Sequence, residues 1–137
     1  MNIDSIQNGV VIDHITAGLG MKLYELLGLA SIDASIALIK NVSSKKMGKK
    51  DIIKIDADIP VDLDVIGFVD PDATVNIIKD GILVRKCSIA MPETLTNVIK
   101  CKNPRCITSC EQELDHIFKL TDKESKVYRC IYCETKA

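Results

Sequence analysis

Cysteine is the residue type whose spacing says most about chemistry in this chain. Cys101-Lys-Asn-Pro-Arg-Cys106 and Cys130-Ile-Tyr-Cys133 form two close pairs separated by the 23 residues from Ile107 to Arg129. Two such pairs can converge on one tetrahedral metal, and zinc suits four thiolates best. Each pair fits a tight turn whose backbone N–H groups point at sulfur, and Pro104 stiffens the first. Four thiolates fill the coordination sphere and leave no position for a water, so the chemistry implied is structural rather than catalytic. The alternatives are buried thiol pairs or disulfides, and iron in a rubredoxin-like site. Cys110 lies four residues after Cys106, a spacing that suits a helical turn better than a metal knuckle, and Cys87 reads as a small buried hydrophobe.

Two other groups could do chemistry. Lys45, Lys46, Lys49, Lys50 and Lys54 crowd one segment. On a strand, Lys50 and Lys54 would share a face with Ile52, while Ile53 and Ile55 turn to a core. Joined by Lys86, these ammonium groups would suit a nucleotide's phosphates, and the competing reading is a solvated charged turn. Asp13 and His14 are adjacent, so on a regular strand they face opposite sides and cannot form a dyad. His14 and His116 are the only histidines, and the chain contains no Ser-His-Asp set, no P-loop and no G-x-G-x-x-G. With so little material for acid–base work, a non-enzyme is expected.

The elements that would carry these groups can be read from periodicity. Gly9 to Ile15 is β-branched and predicts a strand. Leu19, Leu23, Leu26 and Leu27 form one stripe of a short helix, with Gly28 near its end. Ala34–Val42 and Lys49–Asp56 read as a hairpin around a polar turn. Pro60 opens a second helical stretch with Val61, Val65, Ile66 and Val69, and Asp70-Pro-Asp72 breaks it. Ala73–Ile78 and Ile82–Cys87 read as strands around Lys79-Asp-Gly81. The order β-α-β-β-α-β with an extra arm predicts an α+β fold, a ferredoxin-like antiparallel sheet with two helices on one face. Met91-Pro-Glu93 reads as a hinge, giving an expected first domain of residues 1–92 and an all-β zinc ribbon of residues 93–137. Strands are expected there over His116–Leu120 and Lys126–Arg129.

Composition removes several function classes. Aromatic residues are 4% and Trp is absent, so the core must come from Ile, Val and Leu, and little stacking surface is on offer to a nucleic acid. Residues 1–93 carry 10 basic and 13 acidic side chains, a net of −3; residues 94–137 carry 8 and 6, a net of +2. Zinc held by four thiolates adds about −2 to the ribbon, which brings it near neutral and argues against a zinc-ribbon nucleic-acid-binding module, the main rival reading. The first residues lack a basic n-region and a long apolar run, and no stretch approaches ~20 apolar residues. Six cysteines without an export signal favour reduced thiols and metal, so the expected compartment is the cytoplasm and no membrane partner is expected.

Taken together, Val11-Ile-Asp-His-Ile15, Met47-Gly-Lys-Lys-Asp-Ile-Ile-Lys-Ile55, Ala73-Thr-Val-Asn76 and the four spaced cysteines closely resemble the regulatory chain of aspartate carbamoyltransferase, over nearly the whole sequence. The resemblance implies a non-catalytic subunit of pyrimidine biosynthesis: an allosteric domain that binds CTP and ATP at one site, then a zinc domain that docks on the catalytic chain. It implies homodimers of regulatory chains, three of which join two catalytic trimers. By motif, Asp13, His14, Lys54 and Lys86 would meet ribose and phosphates; Ile6, Val11 and Lys50 would line the nucleotide pocket. Cys101, Cys106, Cys130 and Cys133 would bind one zinc ion, and Asn103 and Glu134 would meet the catalytic chain. The chain departs from the family pattern at Gly81 and Ser88, where an aromatic and an arginine are common, and at Arg105, where asparagine is typical.

Overall fold

The computed structural model describes residues 6–137, which divide into two compact units, residues up to Ala90 and from Met91 onward. In the first unit, β1 (Gly9–Thr16), β2 (Ser35–Ser44), β3 (Gly48–Asp56), β4 (Thr74–Lys79) and β5 (Ile82–Ser88) form one antiparallel sheet in the order β2-β3-β1-β4-β5. Helices α1 (Gly20–Leu26) and α2 (Leu63–Val69) follow β1 and β3. The α+β order and the ferredoxin-like sheet are those expected from the periodicities, with β5 added at one edge.

Apolar residues of period two on the strands meet apolar stripes on the helices. Ile12, Ile15, Leu23, Ile53, Ile55, Ile66 and Val75 are all sealed from solvent. Each such side chain contributes about 1.5–3 kcal/mol on burial. Gly9 is needed for backbone approach: a Cβ there would lie 2.1 Å from the Ile55 carbonyl oxygen.

The second helix begins later than Pro60 suggests. Asp62 caps it, accepting hydrogen bonds from the N–H groups of Asp64 (3.0 Å) and Val65 (3.4 Å). An Asp with apolar spacing after it is a stronger start signal than a Pro three residues ahead. Gly28 takes φ +67° and leads into a 3-10 turn, Leu29–Ser31. Gly81 takes φ +75° in the β4–β5 turn, a left-handed conformation that disfavours a side chain and accounts for glycine there.

The adjacent pair Asp13 and His14 departs from regular alternation. The β1–β3 register slips between Ile12 and Ile15, and His14 has φ +57°. This is a β-bulge. Ile12 and Ile15 both enter the core, whereas Asp13 and His14 both stay half-exposed. The expectation that the two face opposite sides is therefore wrong: the extra residue absorbs the alternation, and both leave the core side together.

The second unit is small. Strands β6 (Thr94–Thr96), β7 (Ile117–Asp122) and β8 (Val127–Cys130) form a sheet in that order, with a single helical turn α3 (Ile107–Cys110) after the first cysteine pair. β6 is too short to show a period in sequence. Its core consists of Leu95, Phe118 and Tyr128 beside the buried Cys101, Cys106 and Cys130. No helix among the described residues is long and apolar enough to cross a membrane.

Candidate functional site

Register places the cationic and polar groups of the first unit in a row. Lys54 on β3 stands opposite Val11 on β1, Val11 opposite Asn76 on β4, and Asn76 opposite Lys86 on β5. Cross-strand partners share a face, so all four lie on the sheet face away from the Ile12/Ile53/Ile55 core. Lys50, Ile52 and Lys54 alternate with the buried Asp51, Ile53 and Ile55, as expected.

A 320 Å³ cleft opens on this face, lined by Val11, Asp13, Ile52, Lys54, Asn76, Ile78 and Leu83. Lys50 reaches it by an ion pair with Asp13 at 2.9 Å. Burial pushes the Asp13 carboxyl up, but hydrogen bonds from Lys50 and the His14 N–H, with the charges of both neighbours, hold it below the usual carboxylate range. His14 Nδ1 lies 3.1 Å from Thr74 Oγ1, and its ring borders a neighbouring 260 Å³ pocket with Lys46, Met47 and Asp72. Lys86 ends the cross-strand row, exposed on the edge strand. Ile6 does not line the cleft; it is buried against Gly9.

Asn76 was not singled out by residue type. Its Oδ1 is the one buried side-chain polar atom among the described residues without a hydrogen-bond partner. Only the pairing of β4 with β1 and β5 reveals its position between Val11 and Lys86.

In the second unit the four Sγ atoms of Cys101, Cys106, Cys130 and Cys133 lie within 4.8 Å of one another. Cys101 and Cys133 sulfurs are 3.5 Å apart, and those of Cys106 and Cys130 are 3.7 Å apart. A tetrahedron with Zn–S bonds of about 2.3 Å has edges of about 3.8 Å, so the cluster has the dimensions of a zinc centre. The separations exceed a disulfide's ~2 Å, and all six cysteines are free. Cys110 ends α3 and is exposed, and Cys87 is half-buried on β5.

The thiols differ in acidity. Burial pushes Cys101 up to about 12 and also raises Cys130. The Thr108 hydroxyl lowers Cys106, and the Thr135 hydroxyl brings Cys133 down to about 6. Four thiolates together at neutral pH therefore require a cation among them, which is what the donor set fits.

The knuckle turns are built locally. Asn103 Oδ1 accepts from the Arg105 N–H at 3.0 Å, its carbonyl accepts from the Cys106 N–H at 3.1 Å, and its amide reaches Cys133. His116 Nδ1 accepts from the Cys101 N–H at 3.2 Å, so this histidine braces the first turn. Glu134 takes φ +64°, its N–H bonded to the Cys130 carbonyl at 2.9 Å. Beside the knuckles, Ile107, Ile131 and Tyr132 are apolar yet half-exposed.

Comparison with known proteins covers both units. A family model for the aspartate carbamoyltransferase regulatory chain, allosteric domain, matches residues 1–90, and one for the metal binding domain of the same chain matches residues 93–137. Among curated proteins, the aspartate carbamoyltransferase regulatory chain of Clostridium botulinum strain Hall is 49% identical over 134 residues, covering 98% of this chain and 92% of that protein. That of Clostridium tetani is 48% identical over 135 residues, with 98% and 94% covered. That of Bifidobacterium longum is 44% identical over 137 residues, with 100% and 99% covered. With both domains matched and near-full-length identity, this chain belongs to the aspartate carbamoyltransferase regulatory-chain family, a non-catalytic subunit with an allosteric and a metal-binding domain whose partner is a catalytic chain.

Proposed function

We propose that this chain binds CTP and ATP as competing allosteric effectors on the outer face of its first sheet, and that its metal-bearing unit docks on the catalytic chain. The observation that carries the reading is the Lys54–Val11–Asn76–Lys86 row beside the Asp13–Lys50 pair. Val11, Ile52, Ile78 and Leu83 offer an apolar bed for a base. The unpaired Asn76 acceptor suits a base with an exocyclic amine, which cytosine and adenine both carry. Lys50, Lys54 and Lys86 supply charge for phosphates, and Asp13 and His14 flank them for the ribose.

On this reading the regulatory chains pair as homodimers that join catalytic trimers in the cytoplasm. Asn103 and Glu134 meet the catalytic chain beside the exposed Ile107, Ile131 and Tyr132. Nucleic acid is a poor partner for the second unit, since Phe118 and Tyr128 are buried, Tyr132 alone of its aromatics is exposed, and the +2 side-chain charge of residues 94–137 is offset by four thiolates around zinc.

The test is equilibrium binding of CTP and ATP to the assembled complex. Lys54→Ala is expected to weaken both by roughly tenfold, the loss of one charge-assisted contact of about 1.5 kcal/mol, while the complex stays intact by sedimentation. Unchanged affinity for both nucleotides would remove this face from the reading.

A further inference from the structure

The two halves of the cysteine cluster end alike. Cys106-Ile-Thr108 and Cys133-Glu-Thr135 each place a threonine two residues after the second cysteine of the pair. Thr108 Oγ1 is 3.1 Å from Cys106 Sγ, and Thr135 Oγ1 is 3.1 Å from Cys133 Sγ. All four sulfurs meet backbone N–H groups, Asn103 at Cys101, Tyr132 and Cys133 at Cys130, Thr108 at Cys106 and Thr135 at Cys133, but the hydroxyls reach only Cys106 and Cys133. The sulfurs carrying hydroxyls belong one to each knuckle, and they sit opposite different partners: Cys106 beside Cys130, Cys133 beside Cys101.

A metal-bound thiolate has no proton to give, so at both places the threonine must be the donor. Such an O–H···S contact draws charge off a centre whose four thiolates leave it at about −2 and fixes the direction in which the sulfur lone pair points. Thr108 is only 4% exposed, so its hydroxyl gains little from water and is available to the sulfur.

We propose that Thr108 and Thr135 are paired positioning residues of the metal centre, each holding the second thiolate of its knuckle by an O–H···S bond and so retaining the metal. The pairing is specific to the hydroxyl: valine matches threonine in shape but cannot donate, whereas serine donates and lacks only the methyl.

The experiment uses the full chain. Zinc affinity is measured by competition with a chromogenic chelator for the wild type, Thr108→Val, Thr135→Val and the two serine variants. The same proteins are loaded with cobalt(II), and the sulfur-to-metal charge-transfer band is recorded. Each valine variant is expected to lose about tenfold in zinc affinity. Its charge-transfer band should move to lower energy, because the unbonded thiolate is the better electron donor. Each serine variant should keep affinity and band near the wild type. A Thr108→Ser protein as weak as Thr108→Val would assign the effect to packing around a buried methyl and overturn the proposal. So would valine variants with wild-type affinity and an unmoved band.

Discussion

Asp13 is the residue on which the candidate nucleotide face turns electrostatically. Its carboxylate is tied to Lys50 at 2.9 Å and to the His14 N–H at 2.6 Å. Because its folded value lies below that of an unfolded chain, the folded state holds the proton less tightly. The stability it adds is present above the unfolded carboxylate value of about 3.9 and fades as pH falls through the lower folded value. Urea denaturation of the wild type and Asp13→Asn is therefore expected to show a gap that is constant near neutrality and closes in acid below about pH 4. A gap independent of pH would mean that the Lys50 contact does nothing for the fold. Lys50 and Lys54 were legible as a same-face pair because period two survives through β3. Asp13 and His14 were not, because a bulge leaves no mark in residue type. His14 in a left-handed conformation is framed by the Ile12–Ile53 and Ile15–Asp51 pairs with β3, which sequence alone does not display.

At the scale of elements, two bulges face each other across β3. One interrupts β1 at Asp13–His14, and the β2–β3 register also shifts between Ile39 and Val42, with Asn41 at φ +57°. Asp51 sits between them, wholly buried. Its Oδ2 accepts from the Gly18 and Gly20 N–H groups at 3.1 and 3.0 Å, and its Oδ1 accepts from Asn41 N–H at 3.0 Å. A Cβ at Gly20 would come within 2.8 Å of that carboxylate, which explains the glycine at the start of α1. Asp51→Ala would leave the buried Gly20 N–H and the part-buried Gly18 and Asn41 N–H groups without their acceptor and is expected to cost roughly 2 kcal/mol or more in chemical denaturation; a loss below ~1 kcal/mol would contradict this account. Asp51 had given no sequence signal, since a lone acid between lysine and isoleucine reads as solvated. The five strands and two helices of the first unit were legible because the strands keep their apolar, β-branched character outside the bulges and the helices keep their apolar stripes. The start of α2 was misplaced because Asp62 competes with Pro60 as a start signal and provides the actual hydrogen bonds.

At the scale of the whole molecule, the two units draw stability from different sources. The first has a five-stranded sheet with a core of isoleucine, leucine and valine, whereas the second has three large buried side chains and a four-cysteine cluster suited to one metal ion. Chain entropy of about 1–2 kcal/mol per residue is hard to offset with so few apolar groups, and structural zinc can supply roughly 10–16 kcal/mol. Strong chelation is therefore expected to make residues 91–137 sensitive to limited proteolysis while fragments spanning the first unit persist. Equal protection of both units after complete metal removal would show that the second folds without its ion. The cysteine spacing alone made this division of labour readable. The sulfur-bound threonines were not readable, because Thr two residues past a cysteine is an ordinary neighbour until the turn brings its hydroxyl back to sulfur.

The bulge in β1 has a consequence for parity. Before it, odd-numbered Val11 and Asp13 serve the outer face and even-numbered Ile12 serves the core; after it, odd-numbered Ile15 is inside. One inserted residue thus lets a single strand place two neighbouring polar side chains off the core without forfeiting a core position. Flattening the bulge with His14 in place would restore strict alternation at the cost of turning His14 toward the core and Ile15 toward solvent, whereas deleting His14 would leave Asp13 outside and Ile15 inside. The extra residue is thus what adds a second polar side chain without disturbing the core.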